Sequence, residues 1–339
     1  MVFVTGGTGF TGSWLICNLL SRGENVRALK RAESSLKYFM TIYEVCFQSK
    51  KILDTHQLEW VEGDLMDVFS LEDAIENCDM VFHAAALVSF HKKDEQALNE
   101  VNVIGTKNII NAMLYKGIKK IAYISSTAAI GKPEEGIVAN ENTPWKDDKN
   151  QSIYAKTKHK AELEVFRGIE EGLTAYIVNP GIISGFGDWN RGSCTTYKKI
   201  YHGLTFYSLG ENGVVDVRDV CKALLMLVDK QIKNERFLLI SENISYQEYF
   251  NLIAKGFNKP ELKYEVKKWL GQKIAFISRI LENIGFNNLF VTKEIATSAV
   301  SIQRYSSEKI RSKLSYNFIS VSESTKNATI LYLRYKDQM

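Results

Sequence analysis

Proline is nearly missing from this chain of 339 residues, which holds 4 of them beside 22 glycines. That scarcity excludes a collagen-like or low-complexity chain. The 5 cysteines, Cys17, Cys46, Cys78, Cys194 and Cys221, are odd in number, widely spaced and form no CxxC pair. Neither a disulfide framework nor a structural zinc site is expected from them. No stretch approaches the roughly 18 consecutive apolar residues of a membrane span. Charge of one sign is also lacking, with 43 basic against 39 acidic residues and a net +4. Residues 259–339 carry 14 Lys/Arg and 7 Asp/Glu, a modest basic tail that is a weak footprint for nucleic acid. What remains is the composition of a globular protein, 45% apolar and 24% charged, long enough for about two domains. A glycine-rich motif already begins at Gly6, so no targeting segment is expected and the reading is a cytoplasmic, metal-independent protein.

Short β-branched runs alternate with segments of helical period through the first two thirds. The runs are Val2–Val4, Val26–Leu29, Leu58–Val61, Met80–Ala84, Ile121–Ser125 and Ala175–Asn179. Helical periodicity covers Gly12–Ser21, Leu71–Asn77, Gln96–Tyr115 and Ser152–Glu170. Strands apolar along their whole length, separated by helices, predict an α/β fold: a Rossmann-type, doubly wound parallel sheet covered on both faces. Ligands of such sheets bind beyond the carboxyl ends of the strands. Beyond Pro180 the alternation fades into a glycine-punctuated stretch. A helix at Asp219–Asp229, a strand at Phe237–Ile240, a helix opening at Ser245 and an amphipathic helix at Lys267–Glu282 follow. The expected division is residues 1–180 for the sheet domain, with elements near 214–242 returning to it, and 181–339 mainly for a smaller mixed α/β substrate lobe.

Thr5-Gly6-Gly7-Thr8-Gly9-Phe10-Thr11-Gly12 lies directly after the first strand and opens a helix. Gly6 permits a tight turn, Gly9 a close backbone approach to a pyrophosphate, and Gly12 packing of helix on strand. The first-turn amides then face the phosphates. The second strand ends in Lys30-Arg31, where an NAD site usually presents a carboxylate. Arg31 offers a planar fork to a 2′-phosphate, with Lys37 as a second contact. NADP(H) is therefore preferred, and NAD(H) stays open. Asp64 and Leu65, after the third strand, suit the adenine. Ala84, Ala85 and Ala86, after the fourth, are small enough for backbone to approach the dinucleotide. His83 is given no chemical role.

Tyr154 and Lys158 stand four apart in Tyr-Ala-Lys-Thr-Lys, on one helix face. A phenol titrating near 10 needs about 4 kcal/mol of differential stabilisation to act at neutral pH. A neighbouring ammonium and the positive ring of an oxidised nicotinamide have the right sign to supply it. At the end of the fifth strand, Ser126 would donate to a substrate oxygen as negative charge develops there; Ser125 and Thr127 compete for that part.

In combination these motifs resemble the extended short-chain dehydrogenase/reductase family, within the NAD-dependent epimerase/dehydratase superfamily, along essentially the whole chain. TGGTGFTG resembles its TGxxGxxG signature, YAKTK its YxxxK, and ISSTAAIG its strand-end serine motif. The last of these implies Ser126 as catalytic, beside Tyr154 and Lys158. Asn102 matches the family's NVxGT helix. Asn179-Pro180-Gly181 matches the step that frames the nicotinamide carboxamide, which implies Pro180, Ile182 and Ile183 beside the ring. Val215–Val220 matches its VDVxDV segment, and Tyr305–Tyr316 resembles its closing element, with Ser315 in place of glycine. Gly12–Leu15 and Val26–Arg31 are most similar to the dihydroflavonol 4-reductase-like branch, which generally uses NADPH and carries an arginine at the position of Arg31. Plant members place a flavonoid-reading asparagine where this chain has Gly131, so the resemblance implies a ketone or aldehyde reductase without implying a flavonoid.

The resulting reading is an NADPH-dependent carbonyl reductase, or alcohol dehydrogenase in reverse, for a small apolar or aromatic substrate, working as a monomer or homodimer. Its pocket is expected from Leu87–Phe90, Ala128–Gly131 and Gly185–Tyr207, with Phe90, Phe186, Trp189, Tyr197, Phe206 and Tyr207 contributing rings. Two rivals remain. One is an NAD-dependent nucleotide-sugar epimerase or dehydratase, with Arg191 and Arg218 for a diphosphate. The other is a non-catalytic NADP(H)-sensing protein.

Overall fold

A computed structural model describes residues 1–47, 56–131, 136–147, 151–266 and 301–336. The expected helix at Lys267–Glu282 lies outside the described residues. The sheet half runs β1 (Val2–Thr5), α1 (Phe10–Ser21), β2 (Val26–Lys30), α2 (Lys37–Phe47), β3 (Leu58–Glu62), α3 (Val68–Ile75) and β4 (Met80–His83). It continues with α4 (Glu95–Leu98), a π-helical stretch (Asn99–Ile104), α5 (Gly105–Lys116), β5 (Lys120–Ile124), α6 (Ile153–Glu170) and β6 (Thr174–Pro180). The remainder holds β7 (Ile182–Ser184), α7 (Thr195–Tyr201), β8 (Phe206–Tyr207), β9 (Glu211–Asp216), α8 (Val217–Asp229), β10 (Glu235–Leu239) and β11 (Glu242–Ser245). It closes with α9 (Tyr246–Gly256), β12 (Tyr264–Glu265), α10 (Glu308–Leu314) and α11 (Val321–Tyr335).

Seven parallel strands form one sheet in the order β10-β6-β5-β4-β1-β2-β3. Alternate residues of each strand feed two separate cores. Val2, Val4, Ala122, Ile124, Tyr176 and Val178 pack with α1 and α8. Phe3, Val81, Ile121, Tyr123, Ala175 and Ile177 pack with α3, α5 and α6 on the other face. Burial on both faces is why these strands lack a polar alternation. The chain leaves β1 toward β2 and β3, then crosses back to β4, so a crevice opens where β1 and β4 end, the ligand position of doubly wound sheets. A smaller sheet, β11-β9-β7, continues directly from the end of β6.

The helix α2 carries no expectation from the sequence reading, yet Phe39, Thr41 and Ile42 bury one face of it. The Gln96–Tyr115 periodicity spans α4, the π-helical stretch and α5, and the extra residue per turn falls where Asn102 is buried. Such local widening of a helix often accompanies a functional side chain.

Candidate active site

The glycine turn is built so that no side chain would fit. Gly6 has φ +72°, and a Cβ there would lie 2.6 Å from the Ala85 nitrogen. That approach sets the turn against the backbone of Ala84 and Ala85. At Gly12 a Cβ would meet the Gly6 carbonyl oxygen at 2.1 Å, so the helix sits directly on the turn. Gly9 begins α1 without any side-chain cap, and the first helical turn holds no acidic residue. The amino end of α1 therefore keeps its unpaired amides for an anion. Thr8, Phe10 and Thr11 are half-buried around the turn, with the Phe10 ring close to Gly187.

At the end of β2 the two cations are differently placed. Lys30 is tied to Glu62 at 2.5 Å. Arg31 leaves its side chain 63% exposed, with Glu33 at 3.1 Å. Lys37 is exposed at the start of α2, where its N–H donates to Ser35 Oγ. Asp64 is exposed and accepts from the Met66 N–H at 2.8 Å. The cap of α3 is Asp67, three residues on, which accepts from Phe69 and Ser70. Leu65 is buried, and a Cβ at Gly105 would touch it at 3.0 Å.

His83 is a buried structural link rather than an acid or base. The Ala85 N–H donates to Thr5 Oγ1, which meets His83 Nδ1 at 2.7 Å, while His83 Nε2 meets Thr106 Oγ1 at 2.9 Å. Thr106 must spend its hydroxyl proton on the Asn102 carbonyl, at 2.6 Å. Its oxygen therefore accepts from Nε2–H, and Nδ1 accepts from Thr5. Burial, with Lys158 nearby, pushes His83 down to about 3, so the ring is neutral. Asn102 then clamps the loop after β4: its Oδ1 takes the Leu87 N–H and its Nδ2 donates to the Leu87 carbonyl and to Thr157 on α6.

Ser152 caps α6 by accepting from the Ala155 N–H, which starts the helix just ahead of Tyr154. Tyr154 and Lys158 project from successive turns toward the ends of β4 and β5. Burial raises the Tyr154 phenol above its ordinary range, and a hydrogen bond with Ser126 opposes that rise. Ser126 is thus the hydroxyl of the Ser125–Thr127 trio that reaches the phenol. Ser125 Oγ is buried without a partner, and Thr127 lies against Tyr305. Lys158 is 1% exposed and donates to Tyr123 Oη at 2.9 Å and to the Ile124 carbonyl at 3.1 Å. Both of these bonds run to β5, so the ammonium is held one helical turn from the phenol rather than bonded to it. Tyr123 was absent from the sequence reading; its alternation in β5 toward α6 was the available signal.

Several aromatic expectations are corrected. Phe90 does stand against Tyr154, edge-on with ring centres 5.9 Å apart. Phe186, Trp189 and Tyr197 are instead buried in the core, where they meet Tyr332 of α11 edge-on, stacked and tilted, respectively. Phe206 is exposed and faces Tyr264. A Cβ on Gly131 would stand 1.7 Å from the Pro144 carbonyl oxygen, so no side chain can occupy that position. The covering segment is pinned by Trp145 stacked on His159 of α6 at 4.0 Å. Of the two cations considered for a diphosphate, Arg218 folds back bidentately on Asp216 at 2.9 Å, and Arg191 is exposed beside Asp188.

These features fit a nicotinamide dinucleotide. The glycine cradle excludes side chains, the end of α1 is uncapped, and Ser125 Oγ and Asn179 Oδ1 are buried near the strand ends without partners. Pro180 is buried at the end of β6, with Ile182 and Ile183 half-buried just beyond it. Among the described residues no helix is long and apolar enough to cross a membrane. The fold and site define a Rossmann-type NAD(P)-dependent oxidoreductase.

The comparisons narrow that class. Residues 2–239 match the model of the NAD dependent epimerase/dehydratase family. A putative dihydroflavonol 4-reductase of Synechocystis sp. is 32% identical over 293 residues, covering 84% of this chain and 80% of the relative. Sterol demethylase protein B of Methylococcus capsulatus is 31% identical over 281 residues, covering 82% and 81%. The solved structure of gox2253 superposes with a TM-score of 0.81 at 26% identity, covering 99% of this chain and 98% of the other. The chain belongs to the NAD-dependent epimerase/dehydratase family, the extended short-chain dehydrogenases/reductases, with dihydroflavonol 4-reductase-like relatives.

Proposed function

We propose that the protein is an NADPH-dependent reductase of a ketone or aldehyde on a small apolar or aromatic compound. The observation that carries this reading is the convergence of Ser126, Tyr154 and Lys158 beside Phe90 at the carboxyl ends of the strands. When bound, the nicotinamide supplies a hydride for the carbonyl carbon. Tyr154 gives its phenolic proton to the carbonyl oxygen, and Ser126, whose hydroxyl lies nearest that phenol of the strand-end trio, donates to the same oxygen. Lys158, one helical turn along α6 and held by Tyr123 and the Ile124 carbonyl, is the positive charge that would favour the phenolate left after proton transfer. Arg31 supports the choice of NADPH, because its exposed guanidinium stands at the end of β2 where a 2′-phosphate would be read.

The rival epimerase or dehydratase reading needs cations for a substrate diphosphate, and Arg218 is already spent on Asp216. A panel of aldehydes, ketones and nucleotide sugars, assayed with NADPH and NADH, tests the choice. Stoichiometric NADPH oxidation with a carbonyl compound, lost at least 100-fold in Tyr154→Phe, is the expected result for a general acid of this kind. Tightly retained NAD without net NADPH consumption would sink the reductase reading. Undiminished turnover in Tyr154→Phe would remove the phenol from the mechanism.

A further inference from the structure

A carboxylate buried against a half-buried arginine lies one helical turn beyond Lys158. Glu162 is 1% exposed on α6, and each of its carboxylate oxygens is bonded. Oε1 accepts from Arg236 of β10 at 2.8 Å, and Oε2 accepts from Asn179 Nδ2 of β6 at 2.5 Å. Arg236 is fixed in turn by two bonds to the Glu141 carbonyl, at 2.7 and 3.1 Å. Asn179 Nδ2 also donates to the Ser126 carbonyl at 3.1 Å. The same carboxylate is therefore linked to Lys158 through one turn of helix and to Ser126 through one amide.

A carboxylate this deep, paired with a half-buried Arg236, is a poor device for stability, since its desolvation costs about as much as the attraction returns. Lys158 is the neighbour that has use for it. The hydrogen-bond acceptors of its ammonium, Tyr123 Oη and the Ile124 carbonyl, are neutral. The other groups facing this region are the neutral His83 from β4, Tyr123 from β5, Tyr154 and His159 from α6, Asn179 from β6, Arg236 from β10 and Glu141. Glu162 follows Lys158 by four residues, on the same face of α6, and both are 1% exposed, so its carboxylate favours the charged lysine.

We propose that Glu162 is a positioning residue for Lys158, its buried carboxylate keeping the ammonium charged in a dry interior while Asn179 ties the same carboxylate to the strand end that carries Ser126. This rests on the reading of Lys158 as part of the reductase machinery. Burial pushes Lys158 down to about 8, and Glu162 acts in the opposite direction. Without Glu162 burial would act on the lysine unopposed.

The test titrates Lys158 directly in the full-length protein labelled with ¹³C at the lysine ε carbon, the resonance being assigned by its loss in Lys158→Arg. Wild type is compared with Glu162→Gln and with Glu162→Gln/Arg236→Gln, the latter leaving no unpaired guanidinium if the single variant melts early. The expected result is a Lys158 midpoint lower by about one pH unit in Glu162→Gln, and lower by less in the double variant, which also removes the positive charge of Arg236. The alkaline limb of kcat/KM should move with it, a loss of about five-fold at pH 8. An unmoved midpoint in both variants overturns the proposal, even if activity falls, because that loss would then be structural. The nuclear magnetic resonance titration does not depend on turnover. A failure of the reductase reading, seen as undiminished Tyr154→Phe activity, is thus separable from a failure at Glu162.

Discussion

The side-chain amide of Asn102 holds both backbone groups of Leu87, accepting its N–H at 2.8 Å and donating to its carbonyl at 3.0 Å. A third bond, to Thr157 Oγ1, ties this pair to the helix of Tyr154. Replacing Asn102 by Ala leaves the half-buried backbone groups of Leu87 without these bonds, at about 1 kcal/mol each. The expected outcome is a thermal midpoint lowered by several degrees and a cofactor dissociation constant raised roughly ten-fold, read by calorimetry and by NADPH fluorescence. Equal cofactor affinity in a folded Asn102→Ala protein would mean that the loop after β4 holds its place unaided.

Two glycines with nearly the same backbone angle should behave differently. Gly6 at φ +72° and Gly23 at φ +77° both occupy the left-handed region, but a Cβ on Gly23 meets nothing within 4 Å. Gly23→Ala is expected to cost about 1–2 kcal/mol of stability and leave cofactor binding unchanged. Gly6→Ala carries the same strain and also drives the turn away from Ala84 and Ala85, so binding should fall by more than ten-fold. Isothermal titration of NADPH into both variants decides it; parallel behaviour would refute the cradle.

Arg31→Ala should weaken NADPH binding far more than NADH binding. The exposed guanidinium can add about 1.5–3 kcal/mol only where it meets an ionised phosphate. Losing a phosphate contact should also flatten the salt dependence of NADPH affinity. Equal losses for the two cofactors would remove Arg31 from the 2′-phosphate.

His83 predicts an acid-sensitive fold. Its folded-state value of about 3 lies below the ordinary value near 6.5. In that interval the unfolded chain binds a proton that the folded chain refuses. The contribution is complete above about pH 6.5 and is lost as pH falls toward 3, by several kcal/mol at most. His83→Gln has no such proton to take up. Urea titrations at pH 7, 5 and 4 should show the stability gap between wild type and His83→Gln narrowing with acid; a constant gap would argue against a neutral buried ring.

The glycine turn and the parallel sheet were legible because their signals are local. Apolar strands reveal themselves over five residues, and the turn needs its glycines at fixed offsets from β1. Tyr154 and Lys158 were legible for the same reason, being one helical turn apart. The helix α2 was equally local and was overlooked, although Phe39, Ile42 and Cys46 recur at helical spacing. What sequence alone could not reveal is where distant segments meet. Phe186, Trp189 and Tyr197 look like pocket rings until Tyr332, some 135 residues further on, takes them into the core. Arg218 looked available for an anion, but Asp216, two residues earlier, already claims it. Glu162 reads as one more charge on an amphipathic helix, since Arg236 is 74 residues away.

That separation bears on how the chain is made. β10 pairs with β6 as the outermost strand of the sheet, and its Arg236 supplies the counter-charge to Glu162. A ribosome translating from the amino end exposes β1 through β6 and the whole of α6 well before this strand emerges. Until then the nascent sheet holds an acid group without the base that meets it in the finished fold. Maturing the site therefore awaits a strand far from Tyr154 in sequence, and after it the segment at Ser307 and Lys309 that bonds to that strand.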